Sequence, residues 1–428
     1  MKVLLTGANG FIGRYLLAAL VAAGHDVVPA VRRPGETDRL LRRPASIAVD
    51  LNRDTRPDDW LPRLAGIEAV VNCAGILQGR PGQSIDAIHA DGPKALFAAC
   101  RAAGVRRVIQ ISAISAAPGA GTAYASSKRR ADDFLAATDL DWVVLRPSLV
   151  YAEGASGGTA LFRAMAALPG LVPVIGRGDQ EFQPIHVDDL AAAILRLLER
   201  PDIRHVVIDP VGPDTVTMRQ MLLDLRRWLG LPPARIVEVP LPLVRIAARL
   251  GGALGGPVNV TALKQLAFGN AGRPEPFVEI LGLRPRRWGD ALLARPAQPQ
   301  DRWHARLYLL RPLLRWALAL LWMASGLVGL LQPATSVSAI LAAFGISGVA
   351  GSTVLWAACL LDMLVGLGLA MRWRPLPLAA AQIAIVLAYS AGLTYARPTL
   401  WMDPFGPLLK NLPIIVAIVI LAAVERER

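Results

Sequence analysis

Two groups of residues have the types and spacing to do chemistry. The first is Thr6-Gly7-Ala8-Asn9-Gly10-Phe11-Ile12-Gly13, which follows the apolar run Val3-Leu4-Leu5 and leads into a helical pattern from Arg14 to Ala23. Strand, glycine turn and helix together are the context of a dinucleotide site. Gly7 permits the tight turn, Gly10 lets the backbone approach a pyrophosphate, and Gly13 allows helix and strand to pack closely. Asn9, Phe11 and Ile12 flank the helix N-terminus, whose free N–H groups and positive dipole end suit phosphate. The second group is Tyr124-Ala125-Ser126-Ser127-Lys128. Positions four apart share a helix face, so Lys128 lies one turn from Tyr124. There it can lower the pKa of the phenol and hold a nicotinamide ribose, while the phenol exchanges a proton with a carbonyl or alcohol as hydride moves.

The elements that must carry these residues can be read in order. Asp26-Val27-Val28-Pro29-Ala30-Val31 is a second strand, and Arg32-Arg33 follow it where NAD sites usually place an acid for the ribose hydroxyls. Two guanidinium groups can pair with a 2′-phosphate, which favours NADP(H) over NAD(H); Glu36 comes only after Pro34-Gly35. Ile47 to Leu51 reads as a third strand, placing Asp50 and Leu51 beside the adenine. Ala69 to Asn72 reads as a fourth, running into the small-residue turn Cys73-Ala74-Gly75 that lets a cofactor lie close to the backbone. A fifth, from Arg107 to Ser112, precedes Tyr124. Strands alternating with helices to about Arg146 predict a doubly wound parallel sheet. A smaller substrate lobe is expected over 150–300, with helices at Leu161–Leu168 and Met218–Leu229 and a strand at Val206–Ile208. Pro232 to Arg295, rich in proline, glycine and arginine, suggests no chemistry of its own.

Taken together, TGANGFIG at Thr6, NCAG at Asn72, YASSK at Tyr124, LRPSLVY at Leu145 and PIHVDDLA at Pro184 resemble the short-chain dehydrogenase/reductase superfamily. The likeness is to its atypical and extended members: nucleoside-sugar epimerases and the nucleotide-binding accessory subunit of mitochondrial complex I. It covers roughly the first 230 residues and implies a Rossmann domain over 1–230. It also implies that the Leu145–Tyr151 stretch, with Pro147 and Ser148, borders the nicotinamide. His186 is expected to be structural, and Asp188 or Asp189 to cap a helix. One departure stands out. The family places two hydroxyl residues at the end of the fifth strand, the second bonding the substrate carbonyl, but here the pair is Ser112-Ala113. Ser112, taken with Tyr124 and Lys128 as the candidate catalytic set, precedes that slot by one residue, which on a strand turns it to the other face. Ser115 could compensate from the following loop.

Composition divides the chain. The overall 54% of hydrophobic residues averages two unlike parts, because after Asp301 the only acids before Glu425 are Asp362 and Asp403. The net charge of +13 is concentrated: eight arginines and two acids lie between Arg284 and Arg315, ahead of the first long apolar run. Such a cluster suits anionic headgroups and an inward-facing membrane flank, and no nucleic-acid motif accompanies it. Cys73, Cys100 and Cys359 form neither a metal spacing nor a disulfide framework. Met1-Lys2 runs straight into a strand, so no signal peptide is expected ahead of the fold.

Within 305–428, spans are predicted at about 312–331, 352–371, 376–395 and, more marginally, 408–424. Ser336–Ala350 is apolar but short, and reads as interfacial or re-entrant. Arg302, Arg306, Arg311 and Arg315 flank the first span, Arg372 and Arg374 separate the second and third, and Arg426 and Arg428 follow the last. By the positive-inside rule, the Rossmann domain and both termini lie in the cytoplasm of a cell with the chain in its inner membrane. CLLD at Cys359 and WMDPFGP at Trp401 resemble the DoxX-like four-helix membrane family, loosely associated with redox and quinone-linked roles. Asp362, near mid-bilayer, should face the bundle interior. It either meets a lipophilic headgroup or proton, or makes a packing hydrogen bond to Gln382 or Tyr389.

The expected fold is thus an α/β Rossmann domain with a small substrate lobe, followed by an all-α four-helix transmembrane domain. The leading functional expectation is a membrane-tethered, NADPH-dependent oxidoreductase acting on a lipophilic carbonyl or quinone-like compound. Alternatives are a non-catalytic NADPH-binding subunit of a redox membrane complex and an NAD(P)-dependent epimerase or dehydratase. Expected partners are the lipid bilayer and a lipophilic small molecule, with no metal and no nucleic acid.

Overall fold

Apolar runs at β1 (Lys2–Thr6), β2 (Asp26–Val31), β4 (Ala69–Asn72), β5 (Arg107–Ile111) and β6 (Asp141–Leu145) are buried on both faces, as parallel strands under helices must be. In the computed structural model they join β3 (Ile47–Ala48) and β7 (Val206–Ile208) in one seven-stranded parallel sheet of order β7-β6-β5-β4-β1-β2-β3. All residues are described except 36–44, 80–81, 254–258, 333–339 and 426–428. The expected Glu36, Arg426 and Arg428, and part of the Ser336–Ala350 segment, therefore lie outside the described residues. The third strand is shorter than the Ile47–Leu51 expected, because Asp50 turns the chain: its carboxylate accepts from the Asn52 N–H at 3.1 Å and its own N–H donates to Asp54 at 2.7 Å.

The chain divides into two units, 1–305 and 306–428. In the first, α1 (Phe11–Ala22) and α4 (Val187–Glu199) cover one face of the sheet, with Leu16, Leu20, Leu190, Ile194 and Leu197 fully buried against β1 and β5. The other face holds α2 (Gly92–Ala103) and α3 (Ala123–Ala136), with Trp60, Leu96, Phe97 and Leu135 in its core. The strand order reverses between β1 and β4, and that switch point is where a doubly wound sheet opens a ligand crevice. A polar ladder crosses it: Thr6, Asn72 and Gln110 stand in register on β1, β4 and β5. The Thr6 hydroxyl donates to Asn72 at 2.5 Å, and the Asn72 amide donates to Gln110 at 2.7 Å. Three buried polar side chains thereby satisfy one another and fix the three strand ends.

The smaller lobe packs α5 (Met218–Trp228) and the helix Gly157–Ala166 on short strand pairs, Leu171–Ile175 with Arg235–Val239 and Glu181–Phe182 with Val216–Thr217. Arg235–Val239 and several short helices occupy the proline-rich stretch that suggested no chemistry.

The second unit is helical. Helix α6 (Pro299–Leu331) begins in the first unit, and α7 (Gly348–Ala370), α8 (Pro375–Ala396) and α9 (Asn411–Glu425) follow. Helices α6, α7 and α8 are long and apolar enough to cross a membrane, and α9 is a shorter apolar helix of 15 residues. Small residues set the crossings. A Cβ at Gly326 would lie 2.5 Å from the Cys359 carbonyl oxygen, and one at Gly366 would lie 2.9 Å from that of Ala319. Asp362 is buried, accepting from the Ser325 hydroxyl at 2.9 Å and the Tyr389 hydroxyl at 3.1 Å. Gln382 does not reach it, because its carbonyl oxygen is taken by the Trp322 indole N–H at 3.0 Å. Arg315 on α6 is buried and forms an ion pair with Glu425 on α9 at 3.1 Å.

The tightest constraint in the first unit is Gly13, where a Cβ would fall 2.1 Å from the Gly7 carbonyl oxygen. Gly13→Ala should destabilise this unit by about 1–3 kcal/mol through overpacking, read as a drop in Tm. Gly158→Ala, at a site with open space around the added Cβ, should leave Tm within error. A Gly13→Ala protein that melts with the parent would refute the close approach.

Candidate functional site

The crevice is built from backbone first. Gly7 has φ +67°, and a Cβ there would meet the Ala74 and Cys73 backbone at 2.9 Å. The Gly10 N–H closes the turn on the Gly7 carbonyl at 2.8 Å. Helix α1 then starts with Gly10 at its N-cap, no side chain capping it and no acid in its first turn. The first N–H groups of α1, at Phe11, Ile12 and Gly13, thus carry no side-chain cap, and the missing side chains of Gly7, Gly10 and Gly13 let the turn pack tightly on itself and on the Cys73-Ala74 backbone. That geometry fits a pyrophosphate. Asn9 borders it, its carbonyl held by the Arg14 guanidinium at 3.0 Å. Arg32 and Arg33 are exposed just beyond β2. Asp50 and buried Leu51 follow β3, whose residues pair with the end of β2, so these positions share one edge of the crevice.

Across the switch point, β4 ends in Cys73-Ala74-Gly75, and helix α3 places Lys128 against it. Lys128 is 5% exposed, and its ammonium donates to the carbonyls of Ile111 at 2.9 Å and Ala74 at 3.3 Å. Gly75 must be small: a Cβ there would lie 3.2 Å from Lys128 Nζ and 3.4 Å from His89 Nε2. Burial pulls the Lys128 pKa down, opposed by the Asp132 carboxylate one further turn along α3. The same burial drives the Cys73 thiol up to about 12 against the pull of Lys128. This half-buried cysteine is thus a neutral wall, not a nucleophile.

Thr122 caps α3, its hydroxyl accepting from the Ala125 N–H at 3.1 Å. Tyr124 enters in the first turn and sits edge-to-face with His89, ring centroids 5.2 Å apart. Burial, with Asp132 adding, pushes the Tyr124 phenol up to about 12. The lowering expected from Lys128 is not found, because that ammonium is committed to two backbone carbonyls.

His89 is a residue that the sequence pattern did not single out. It lies in a π-helical turn, Ala87–Asp91, that runs into α2. Its Nε2 accepts from the Ile76 N–H at 2.9 Å, and its Nδ1 faces the Ser127 hydroxyl at 3.1 Å. That hydroxyl donates to the Tyr124 carbonyl, so Nδ1 carries the imidazole proton. Burial and then the Lys128 charge push His89 down to about 2, keeping the ring neutral.

The remaining expected residues divide. Pro147 and Ser148 lie just past β6, where the Ser148 hydroxyl donates to the Gln183 carbonyl and the Pro147 carbonyl accepts from the Ile114 N–H. The Ser112 hydroxyl is turned to buried Asp132 at 2.7 Å, beside the Arg146 guanidinium at 3.1 Å. Ser115 is buried in the loop before α3. His186 itself caps α4, its Nδ1 accepting from the Asp188 N–H at 3.3 Å. Asp188 and Asp189, expected as caps, instead bind Arg286, because an imidazole two residues before the first acid already fills the cap.

The pH dependence follows from His89. Its folded pKa lies below its unfolded value near 6.5, so the unfolded chain binds the extra proton and stability falls as pH drops below about 6.5. Between pH 7 and 5, the nucleotide-binding unit should lose Tm. His89→Gln, whose amide oxygen can still accept from Ile76, should reduce that loss; an identical Tm-versus-pH slope in the variant would refute the assignment.

Comparison with known proteins gives this geometry its relatives. Residues 3–208 match the NAD dependent epimerase/dehydratase family, and residues 319–419 match the DoxX-like family. The ceramide reductase of Caulobacter vibrioides is 29% identical over 262 residues, covering 61% of this chain and 80% of that protein. The 3-diazoavenalumate denitrifying reductase of a Streptomyces species is 30% identical over 280 residues, covering 56% of this chain and 86% of that protein. Subunit 9 of the NADH dehydrogenase (ubiquinone) 1 alpha subcomplex of Arabidopsis thaliana is 26% identical, and the chain spans 61% of its length. Among solved structures, the UDP-glucuronic acid 4-epimerase of Bacillus cereus, in complex with UDP-glucuronic acid and NAD, shares the fold at a TM-score of 0.54 and 19% identity, over 72% of this chain and 100% of that one. The chain therefore belongs, in its N-terminal part, to the NAD dependent epimerase/dehydratase family of short-chain dehydrogenase/reductase-like proteins, and it carries a DoxX-like domain after it.

Proposed function

We propose that this protein is a membrane-tethered, NADPH-dependent reductase of a lipophilic carbonyl compound. The observation that carries the reading is buried Lys128, one turn from Tyr124 on the same helix, donating to the strand end that also packs against the glycine turn. A nicotinamide cofactor, when bound, would supply hydride. The chain's own part is to hold its pyrophosphate at Gly7, Gly10 and Gly13, to orient its ribose with Lys128, and to deliver a proton from Tyr124. A phenol held near 12 is protonated at neutral pH, the form that a proton donor needs in the reducing direction. Two relatives are named as reductases, one of them for a ceramide, which supports reduction and a lipid-borne substrate.

The preference for NADPH rests on Arg32 and Arg33, whose exposed guanidinium groups suit a 2′-phosphate. The site in this reading comprises Asn9, Phe11, Ile12, Asp50, Leu51, Cys73 to Gly75, Pro147 and Ser148 on the cofactor side. The domain limits follow the sequence expectation, with a soluble part ending near 300 and a four-span part beyond 305. Arginines on the flanks of α6 and between α7 and α8 favour a cytoplasmic reductase domain at an inner membrane. A second reading, a non-catalytic NADPH-binding subunit, draws on Ala113 in the hydroxyl slot and on the Ser112 hydroxyl held by Asp132.

Purified full-length protein should bind NADPH more tightly than NADH, and Arg32→Ala with Arg33→Ala should remove most of the difference, at about 1.5–3 kcal/mol per charge-assisted contact. Equal affinities in the parent would overturn the cofactor choice. With a long-chain ketone in detergent or nanodiscs, Tyr124→Phe should cut NADPH oxidation by about 100-fold or more and leave cofactor affinity unchanged. Lys128→Ala should damage both. Full turnover in Tyr124→Phe would place the proton donor elsewhere, and absence of turnover in the parent would favour the binding-subunit reading.

A further inference from the structure

Between Glu238 and Glu275 the chain carries no acidic residue, yet it carries Arg245, Arg249, Lys264 and Arg273. The stretch includes two helices, Leu241–Ala253 and Val260–Phe268. In the first, Val244 and Ala248 are buried one turn apart and define the inward face. The outward face therefore presents Leu243 and Ile246, 58% and 54% exposed, alongside Arg245 and Arg249. The second helix is Val-Thr-Ala-Leu-Lys-Gln-Leu-Ala-Phe, and none of its residues is fully buried; Val260 and Phe268 are among the exposed apolar side chains. Large apolar residues turned to solvent and interleaved with cations only are a costly surface for a soluble domain. They are the composition of a helix that lies in a membrane interface.

We infer that helices Leu241–Ala253 and Val260–Phe268 form a docking surface for an anionic lipid bilayer. Leu243, Ile246, Val260 and Phe268 enter the headgroup boundary, and Arg245 and Arg249 meet the lipid phosphates. Charge complementarity selects this partner: with no carboxylate in the stretch, an acidic lipid surface is attracted without a compensating repulsion. The apolar helices α6 to α8 of the same chain keep a bilayer within reach, so that even weak contacts add through effective concentration. The surface is also tied to the candidate site. The Gln265 amide donates to the hydroxyl of Thr122, the cap of the Tyr124 helix, at 2.7 Å, and Lys264 donates to the Gly121 carbonyl at 3.4 Å. On the reductase reading, lipid would thus meet the protein beside the entrance to Tyr124; the lipid contact itself does not depend on that reading.

Hydrogen–deuterium exchange of the full-length protein in nanodiscs tests this without any substrate, so its outcome is separate from that of the reductase assignment. In discs containing phosphatidylglycerol, amides of the two helices should exchange about tenfold more slowly than in discs of phosphatidylcholine alone. Arg245→Glu with Arg249→Glu should abolish the difference, while amides of β1 and α1 exchange as in the parent and report an intact fold. Leu243→Ser with Ile246→Ser should abolish it equally. Equal exchange in the two kinds of disc, or protection that survives the charge reversal, would show that something other than anionic lipid covers this face.

Discussion

A buried ammonium is expensive unless several acceptors surround it, and the architecture of the nucleotide-binding unit is organised around meeting that demand for Lys128. Its two carbonyl partners, Ala74 and Ile111, come from the ends of neighbouring strands. They converge because Thr6, Asn72 and Gln110 lock β1, β4 and β5 in register immediately before those ends. The space around the amine is set by an absence, the missing side chain of Gly75, and its field by Asp132 on the same helix. Tyr124, His89 and Cys73 all take their protonation states from this arrangement, directly or through burial beside it.

The strand end at Ala74 serves two purposes. One side of its backbone touches Gly7, which must be glycine both for the positive φ and for the contact, and the other offers its carbonyl to Lys128. The glycine turn and the Tyr124–Lys128 pair are therefore not independent modules. A displacement of the Cys73–Gly75 turn of a few tenths of an ångström would disturb both, which explains why the residues there are small and why a thiol in their midst is held neutral.

Much of this was legible in the sequence, because glycine turns and apolar runs encode backbone conformation locally. The doubly wound parallel sheet, the start of α1 and the placement of Tyr124 and Lys128 on one helix follow from such patterns, but Val206–Ile208, expected in the smaller lobe, pairs in parallel with β6 at the edge of the main sheet. What was not legible depends on partners distant in the chain. Ser112 reads as a catalytic-strand hydroxyl, yet its partner is Asp132. Asp188 and Asp189 have the composition of caps, but His186 reaches the free N–H first. Gln382 was a plausible partner for Asp362 until Trp322 occupied it. His89 carries no local signature at all, since its role comes from a π-turn and from Ile76 and Ser127. A signal did exist for the stretch beyond Pro232: the run without acids is visible in the sequence, though which side of each helix faces solvent is not.

The buried ion pair between Arg315 and Glu425 bears on how the second unit is made. Arg315 lies on α6, the first of the long apolar helices, and its carboxylate partner lies on α9, the last described one. Before that partner is in place, the arginine needs water or other polar groups around it. Closure of the helical unit is thereby coupled to the arrival of α9, because Glu425 is the carboxylate that buried Arg315 meets. Without α9, the buried arginine would lose this carboxylate, a cost of the kind that a broken buried ion pair carries.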